Sequence, residues 1–336
     1  MKQSGQIISS APAAAEFDEG TDAETEAESR SLDITPALHG KRLDLALVEL
    51  VPEFSRSYLQ QLIDAGMVRL NGVVAGKSSA RVKAGDRGAI ELKPTPQSQA
   101  FKPEAMALDV VFSDAHLMVI NKPAGLVVHP APGNWSGTLL NGLLASDPLA
   151  AALPRAGIVH RLDKDTSGLM VVARTRATMD ALVQMIAARH VSRQYLAVTA
   201  KAWSGAATRE VDVPIGRDPR NRLRMAVVDL ARNAGKTAHT SLRVLDTSAS
   251  AALVLCTLHT GRTHQIRVHM ASIGLPLVAD ALYGGQPAAG MTRQALHARR
   301  LAFTHPVTGE DIGFQAPLPE DFRSALPALS LRYNEA

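Results

Sequence analysis

The amino-acid sequence predicts an α+β protein with two folded units of unequal size. Between residues 40 and 93, two short helical patterns precede a hairpin and a further strand. From residue 105 to about residue 325, short runs of Val, Leu and Ile are interspersed with helical patterns. Strand and helix do not alternate strictly there, so this unit should be built around a largely antiparallel, mixed β-sheet. A length of 336 residues allows two such domains.

The charge of the chain is unevenly distributed. Its formal net charge is +4, from 36 basic and 32 acidic side chains. Residues 1–30 contain seven acidic and two basic residues, so the remaining 34 basic and 25 acidic residues give a net charge of +9. A basic body suits a polyanion such as nucleic acid or an anionic membrane, although a solvated surface explains the same charge. Residues 1–34, rich in Ala, Glu, Ser and Thr, are expected to form a disordered acidic tail.

The composition excludes several classes of protein. Cys256 is the only cysteine, which rules out an intramolecular disulfide and cysteine-based zinc sites and fits a reducing compartment. No segment approaches the roughly 18 apolar residues of a membrane span. The amino terminus lacks the basic and apolar segments of a signal peptide. We therefore expect a cytoplasmic protein with no membrane partner.

The unit of residues 40–93 is predicted to begin with two helices. Leu43 opens a run of apolar residues at helical spacing that ends before Pro52. Ser55 can serve as the N-cap of a second helix, 56–65. Asn71-Gly72 has the chemistry of a tight hairpin turn. The predicted strands of this unit are 67–70, 73–74 and 89–92.

The small unit also carries many basic side chains. They are Lys41, Arg42, Arg56, Arg69, Lys77, Arg81, Lys83 and Arg87. Basic residues on a rigid platform can hold phosphates and fix an orientation without reading a base sequence. A solvated surface is the alternative, because lysine and arginine are mostly exposed in any protein.

The larger unit is predicted to lie between two less structured segments. Residues 94–104, polar and interrupted by proline, are predicted to be a linker, and residues 326–336 a C-terminal tail. The predicted strands of residues 105–325 are 108–112, 117–120, 168–173, 194–199, 240–245 and 253–258. The predicted helices are 138–144, 175–190 and 263–273.

The densest group of ionisable residues is His160-Arg161-Leu162-Asp163-Lys164-Asp165, shortly before the strand 168–173. Polar loops against rigid strands are common places for active sites. A carboxylate with basic neighbours can act as a nucleophile or a base. Spacing alone favours a structural cluster of salt bridges over catalysis.

Longer segments carry a resemblance to known families. In the small unit, Arg42–Asp44, Ser55–Ser57 and Val68–Gly72 resemble the S4 RNA-binding domain, which is an α/β domain. In the larger unit the matching segments are Asn121–Pro130, His160–Gly168, Arg193–Tyr195, Leu258–His269, Tyr283–Gly285 and Gln294–Ala298. In sequence and order they resemble the pseudouridine synthases that act on large-subunit ribosomal RNA. The resemblance implies the pseudouridine synthase fold for residues 105–325.

The resemblance also implies roles for individual residues. Asp163 matches the catalytic aspartate, which either attacks the uridine or its sugar or takes a sugar proton. Tyr195 matches a tyrosine that lies against the base and takes part in removing the C5 proton. Arg267 matches the arginine that pairs with the aspartate, and Arg161 matches the residue that fills the space of the flipped nucleotide. Further implied RNA contacts are His160, Arg262 and His264 in the larger unit, and Arg42, Arg56, Arg69 and Lys77 in the S4-like unit.

Each of these residues also has a structural alternative. Tyr195 could be a core residue of a strand, and Arg267 could pair with a surface acid on a helix capped by Thr263. Lys122, Pro123 and Gly125 are expected to shape a turn. His259, His264 and His269 are five residues apart, which does not align them on one helical face as metal ligands, so they should be structural or face RNA. Isomerisation transfers no net atoms or electrons, so no cofactor and no metal are expected.

The implied partner is 23S ribosomal RNA or a precursor of the large ribosomal subunit, bound by a monomer. Segments 128–134 and 154–157 are most similar to the branch of the family that modifies the loop of helix 69. A stacked base hides its glycosidic bond, so the uridine must be flipped, at a cost that is lower in a loop. Three departures from the family are the acidic extension, Gln194 before the tyrosine and a short segment between Gly285 and Gln294.

Two other classes of function are open. A non-catalytic RNA-binding or ribosome-assembly factor would bind RNA without turnover, although Asp163 and Arg267 are both present. A nucleoside or glycoside hydrolase would use two carboxylates, with Asp165 as the second, and would release free uracil.

Overall fold

The structure is a computed structural model that describes residues 28–52, 54–92, 100–131, 133–221 and 224–334. Contacts divide these residues into two units, 28–92 and 100–334. None of the described helices is both long and apolar enough to cross a membrane.

The small unit consists of two helices and a four-stranded antiparallel sheet. Its elements are β1 (Glu28–Asp33), α1 (Leu43–Leu50), α2 (Arg56–Asp64), β2 (Val68–Leu70), β3 (Val73–Val74) and β4 (Arg87–Leu92). The strand order is β1-β4-β2-β3. Ser55 accepts a hydrogen bond from the Tyr58 N–H, which confirms the predicted N-cap. Asn71 and Gly72 both have positive φ, as the two-residue hairpin turn requires.

The predicted disordered tail is wrong for residues 28–33. These residues form β1, which pairs antiparallel with β4 along its whole length. Leu32 and Ile34 are buried in the core of the small unit. The acidic composition does not predict this strand, because what stabilises it is pairing with β4 and the burial of two side chains. Neither of these can be read from local composition. Residues 1–27 of the predicted tail lie outside the described residues.

The larger unit has a nine-stranded sheet and a separate three-stranded sheet. Its strands are β5 (Val110–Ser113), β6 (Leu117–Lys122), β7 (Ser167–Ala173), β8 (Ser192–Thr199), β9 (Thr208–Asp212), β10 (Ile215–Arg217), β11 (Met225–Val227), β12 (Gly235–Lys236), β13 (His239–Thr247), β14 (Ala252–Leu258), β15 (Leu296–Thr304) and β16 (Asp311–Gln315). Its helices are α3 (Leu139–Ser146), α4 (Arg176–Ala187), α5 (Gln265–Ser272) and α6 (Glu320–Ala328).

The large sheet has the order β5-β6-β7-β15-β8-β14-β13-β9, with β16 paired to β15. The pair β7–β15 is parallel, and the other pairs among the described strands are antiparallel. The prediction of an α+β fold around a largely antiparallel mixed sheet is therefore confirmed. β10, β11 and β12 form the small sheet.

The core lies on both faces of the large sheet. All seven residues of β7 are buried. Met170 and Val172 pack into one apolar cluster, and Leu169 and Val171 pack into another. This alternation follows from the two-residue period of a strand covered on both sides. Such coverage makes β7 a rigid support for the polar loop that precedes it.

The predicted ends of the larger unit need correction. Residues 94–99 of the predicted linker lie outside the described residues, but residues 100–104 pack on α3, where Asn141 donates to the carbonyls of Ala100 and Lys102. At the other end, residues 326–336 are not simply a tail. Leu326 completes the buried face of α6, and Leu331 is 3% exposed. Long-range packing, rather than local composition, orders both segments.

The central strand β15 was not predicted from the sequence. His297 and Arg299 interrupt its apolar pattern, although both are buried. His297 is fully buried, and its Nδ1 lies 3.0 Å from the Ser167 hydroxyl on β7. The apolar periodicity of the sequence predicts that polar side chains lie outside the core. In β15, hydrogen bonds to residues distant in sequence keep two polar side chains inside it.

His297 should make the larger unit sensitive to acid. Burial lowers the pKa of His297 to about 4, against 6.5 for a free histidine. Between these values the unfolded chain binds one more proton than the folded chain, so the unfolding free energy should fall as the pH drops from 6.5 to 4. In His297→Gln, the loss of unfolding free energy between pH 7 and pH 5 should be smaller by about 2 kcal/mol.

Urea unfolding at the two pH values measures this difference. Both tryptophans, Trp135 and Trp203, belong to the larger unit, so their fluorescence reports its unfolding alone. The exposed His190→Gln variant is the control and should keep the wild-type pH dependence. An unchanged pH dependence in His297→Gln would contradict the role of His297.

Candidate active site

The loop that carries Asp163 is held in place by buried cations. The Lys122 ammonium, fully buried at the end of β6, donates to the carbonyls of Pro123, Leu126 and Lys164 at 2.8, 2.8 and 2.9 Å. Burial lowers the pKa of Lys122 to about 7, while the charges of Asp165 and Asp163 oppose that shift. Three carbonyl acceptors match the three donors of an ammonium group. Lys122 thus shapes the turn, as expected, and also ties it to the loop.

A second cation holds the loop from the other side. The Arg293 guanidinium donates to the Asp165 carbonyl at 2.9 Å and pairs with the carboxylate of Asp321, at 2.7 and 2.9 Å. After the loop, Gly168 has a φ of +111°, and a side chain there would collide with the Ala298 carbonyl of β15. The backbone on the C-terminal side of Asp163 is therefore fixed, which leaves the carboxylate free to face its partners.

Asp163, Arg267 and Asp280 form a chain of ion pairs. Arg267, on α5, donates from Nε and Nη2 to the Asp280 carboxylate, both at 2.8 Å, and from Nη1 to Asp163 Oδ2 at 3.1 Å. The side chains of Arg267 and Asp280 are 8% and 1% exposed, and that of Asp163 is 16% exposed. Burial opposes the charge on Arg267, but the hydrogen bonds and charges of Asp280 and Asp163 raise its pKa above the ordinary value. The arginine is therefore a permanent cation that aims Asp163.

The structural alternative for Arg267 was a pair with a surface acid on a helix capped by Thr263, and the structure differs from it in both respects. Its partner Asp280 is buried rather than a surface acid, and α5 begins at Gln265 with His264 as its N-cap. Thr263 is not the cap. His264 has the left-handed φ of 56° and makes no side-chain cap hydrogen bond. The helix thus starts two residues before Arg267, and the ring of its N-cap residue faces Asp163.

His264 and Tyr283 form a second contact with the aspartate. The Tyr283 hydroxyl accepts the Met225 N–H of β11 at 3.1 Å and lies 2.8 Å from His264 Nδ1. His264 Nε2 is 3.9 Å from Asp163 Oδ1, and the Arg267 guanidinium lies 5.0 Å above the Tyr283 ring. Burial lowers the pKa of His264, against the charge of Asp163. A neutral His264 that accepts a hydrogen bond from the Tyr283 hydroxyl at Nδ1 carries its own proton on Nε2, where it faces Asp163.

Tyr195 lies on β8 and is 5% exposed. Burial raises its pKa to about 12, although the charge of Arg193 lowers it. Its hydroxyl makes no hydrogen bond to any described residue, and the side chain lines the same cleft as Asp163. Tyr195 is therefore packed at the edge of the core, as the structural alternative has it, and also faces the cleft as a neutral phenol.

The cleft around Asp163 has a volume of about 720 Å³. Its lining includes the predicted substrate residues Arg161, Arg262, His160 and His264. Arg161 is exposed and makes no ion pair with a described residue, while Arg262 Nε donates to the Thr237 carbonyl at 3.0 Å. Arg155, Arg189 and Arg193 add further positive charge, and among the described residues Asp163 is the one acid of the lining. The cleft therefore suits an anionic ligand.

His160 is tied to the sheet. Its Nε2 accepts the Val171 N–H at 3.0 Å. Burial, with the charge of Arg193, lowers its pKa to about 3, so the ring is neutral at physiological pH. The loop is thus fastened to β7 just before Asp163, and a direct contact of His160 with substrate stays a prediction.

The four basic residues predicted on the S4-like unit divide into two pairs. Arg42 and Arg56 both donate to the fully buried Asp44 carboxylate, at 2.8 to 3.1 Å. These hydrogen bonds, with that of Gln60, hold the pKa of Asp44 well below its usual range. Arg69 and Lys77 are exposed, and neither pairs with a described acid. Arg42 and Arg56 therefore have a structural role in binding Asp44, and their side chains are also half exposed to solvent.

Among the described residues, one group could hold a metal ion, namely Glu210, His239 and His259. The two imidazole rings are stacked, with centroids 4.3 Å apart and planes at 20°. The Ser241 hydroxyl bridges Glu210 Oε2 and His259 Nε2 at 2.7 and 2.6 Å. His239 Nε2 also lies 2.7 Å from Glu210 Oε2, so the ring nitrogens and the carboxylate already have hydrogen-bond partners and form a hydrogen-bonded network. His269 bonds Thr240 and the Val213 carbonyl through both ring nitrogens, which supports a structural role.

Three residues of the site escaped prediction from sequence. Asp280, Tyr283 and Arg293 complete the contacts of Arg267, His264 and the loop. Tyr283 and Gly284 stood in a matching segment without an assigned role. An acidic residue within the apolar segment 275–282 was the one local signal for Asp280, and that signal does not identify its partner.

Removing the charge of Asp280 should destabilise the larger unit. In Asp280→Asn, the buried Arg267 would lose its bidentate partner, and the unfolding free energy should fall by about 3 kcal/mol. Urea unfolding followed by tryptophan fluorescence measures this loss of unfolding free energy. Asp180→Asn, which breaks the exposed pair with Arg176, should change stability little. Equal effects of the two substitutions would contradict the importance of the buried chain.

Comparisons with known proteins agree with this geometry. The family model described as RNA pseudouridylate synthase matches residues 116–272, and the S4 domain matches residues 41–87. "Ribosomal large subunit pseudouridine synthase D" of Neisseria meningitidis serogroup B is 46% identical over 321 residues, covering 91% of this chain and 84% of the relative. The protein of that name from Xanthomonas campestris is 47% identical, with 86% and 89% covered.

Solved structures give the same family. The structure of "Human RNA Pseudouridylate Synthase Domain Containing 4" is 28% identical with a TM-score of 0.53, and the match covers 67% of this chain and 94% of the human one. A second human structure, "Domain Containing 1", is 26% identical with a TM-score of 0.51, covering 68% and 89%. The chain therefore belongs to the family of RNA pseudouridylate synthases and carries an S4 domain.

Proposed function

We propose that this RNA pseudouridine synthase isomerises uridines of 23S ribosomal RNA, in the free RNA or in a precursor of the large subunit. The observation that carries the proposal is the carboxylate of Asp163, held by Arg267 in a cleft lined by arginines. Relatives named as ribosomal large subunit pseudouridine synthases support this substrate. The substrate would place the protein in the cytoplasm with the assembling ribosome.

The finer target we propose is the loop of helix 69. The similarity to relatives named synthase D supports it. An unpaired loop also lowers the cost of flipping a nucleotide into a cleft. Arg161, which is exposed and lines the cleft beside Asp163, would fill the space that the flipped nucleotide leaves. We expect a monomer to act on this target.

The reaction breaks the bond between N1 and C1′ and forms one between C5 and C1′. N1 gains a proton and C5 loses one, so no atoms or electrons are exchanged with another reactant. Asp163 would either attack the nucleotide or accept a sugar proton while the glycosidic bond breaks. In both cases the fixed charge of Arg267 holds the carboxylate in place without reorganisation.

Tyr195 would lie against the flipped base. A pKa of about 12 means that its hydroxyl is protonated at neutral pH in the free protein. Acting as a phenolate would therefore cost about 7 kcal/mol at pH 7. A stacking platform with a neutral hydroxyl is the role that this pKa favours.

The hydrolase alternative has less support. It needs a second carboxylate near the glycosidic bond, but Asp165 does not line the cleft that Asp163 faces. Its backbone carbonyl is instead bound by Arg293. The assembly-factor alternative predicts RNA binding without turnover.

Release of tritium from uridine-5-tritiated 23S RNA tests the proposal, because C5 must lose its hydrogen. Wild type should release tritium and leave no free uracil, whereas Asp163→Asn should release none. Asp165→Asn is the matched control and should keep at least about half of the wild-type rate, since it alters no cleft residue. Mapping the modified positions would test helix 69 separately.

Three results would redirect this proposal. Free uracil in solution would favour the hydrolase. RNA binding without tritium release, from both naked RNA and assembled subunits, would favour the assembly factor. Modification confined to other loops would leave the reaction standing and remove helix 69.

Tyr283→Phe should slow the chemical step. The variant keeps the ring under Arg267 but loses the hydroxyl that joins Met225 to His264. Loss of one positioning hydrogen bond should lower the single-turnover rate about tenfold, with RNA affinity unchanged. Tyr333→Phe, which removes the hydroxyl beside Arg299, is the control and should keep the wild-type rate. An equal loss of RNA affinity in Tyr283→Phe would contradict a positioning role.

A further inference from the structure

Arg193 is a buried arginine without a partner among the residues that the structure describes. It lies on β8, is 5% exposed, and lines the cleft. Its Nε is shielded from solvent and has no hydrogen-bond partner. No hydrogen bond or ion pair joins its guanidinium to any residue in the described part of the chain. The sequence matched Arg193 to a family segment but assigned it no role.

Other buried arginines of the larger unit are satisfied. Arg267 pairs with two carboxylates, and Arg299, 7% exposed, donates to the Ala316 carbonyl and the Tyr333 hydroxyl. A buried charge without a partner is costly, so native proteins normally pair it. The unpaired state of Arg193 is therefore a feature that needs a ligand to explain it.

The space around Arg193 is shaped for its guanidinium. A Cβ on Gly261 would lie 2.9 Å from Arg193 Nη1, so the absence of a side chain at Gly261 leaves room for that group. Residues 193 and 195 lie on the same face of β8, about 7 Å apart by the period of a strand. The two side chains thus leave the strand one repeat apart and line the same cleft, in which the flipped base is proposed to lie.

The electrostatic surroundings favour an anion. Burial and the positive charge of Arg193 both lower the pKa of His160, and burial, followed by the charges of His239, Arg189 and Arg193, lowers the pKa of His259. These rings are therefore neutral and leave the arginine charge uncompensated. A planar guanidinium with free donors binds two oxygens of a phosphate at once.

We propose that Arg193 binds a backbone phosphate of the substrate RNA, in the nucleotides next to the flipped uridine. The inference rests on the proposed RNA substrate but not on helix 69. Binding would supply the missing counter-ion and fix the strand relative to Tyr195. The uracil ring, whose oxygens become anionic when the glycosidic bond breaks, is the competing ligand.

Arg193→Met tests the proposal because methionine keeps much of the volume and removes the charge. RNA affinity, measured with a full-length 23S transcript, should fall at least about tenfold. The slope of log affinity against log salt should shrink by about 0.9, the share of one phosphate. The single-turnover rate at saturating RNA should fall by a smaller factor than the affinity, because the interaction removed is mainly one of ground-state binding. The variant should unfold at no lower temperature than wild type, since it removes an unpaired buried charge.

Two further variants complete the design. Arg300→Gln removes an exposed charge of β15 outside the cleft and should leave affinity and salt slope unchanged. Gly261→Ala crowds the tip of the guanidinium while keeping its charge, so it should weaken RNA binding less than Arg193→Met does and leave the salt slope unchanged. If Arg193→Met does not fold, Gly261→Ala carries the test alone.

Two outcomes would overturn the phosphate site. Unchanged affinity and salt slope with a slower single turnover would show that Arg193 acts on the uracil. No change in any measurement would remove its role. If wild type releases no tritium, the proposed function fails, yet the salt slopes of wild type and Arg193→Met still decide whether Arg193 binds a phosphate.

Discussion

A single guanidinium shared by two carboxylates sets the geometry of the catalytic cleft. Arg267 uses Nε and Nη2 on Asp280 and Nη1 on Asp163, so its orientation is fixed before any substrate arrives. Asp163 and Arg267 are 104 positions apart in the chain, and the sheet brings them together. Because breaking a buried pair leaves an uncompensated charge, the three elements that contribute these residues must dock correctly for the unit to be stable.

The loop around Asp163 follows a complementary rule. Its backbone is held by cations that bind carbonyl oxygens, Lys122 at Lys164 and Arg293 at Asp165. Neither cation is close enough to form an ion pair with the Asp163 carboxylate, which is left to Arg267 and His264. The backbone of the loop is thus rigid, while the carboxylate of Asp163 faces the cleft. Preorganisation of this kind removes the cost of ordering the carboxylate during the reaction.

The sequence predicted what local patterns encode. Apolar periods and turn residues located the small-unit helices, the Asn71-Gly72 hairpin and strand β7. They missed β1 and β15, because the first is stabilised by pairing with β4 and the second buries His297 and Arg299 through tertiary contacts. For the site, family resemblance joined Asp163 to Arg267. Spacing alone favoured a structural cluster there, since no local pattern names Asp280 as a partner.

Arg193 and Arg267 show two uses of a buried arginine in one cleft. Arg267 pairs with two carboxylates of the protein itself, so its charge orients Asp163 and contributes to stability. Arg193 lies on a neighbouring element with its Nε unsatisfied, so its desolvation is not offset in the free protein. A charge that is already desolvated interacts more strongly with an incoming anion than a hydrated one does. Arg267 therefore positions the reacting group, whereas the folded protein bears the cost of desolvating Arg193, which strengthens its binding of an anion.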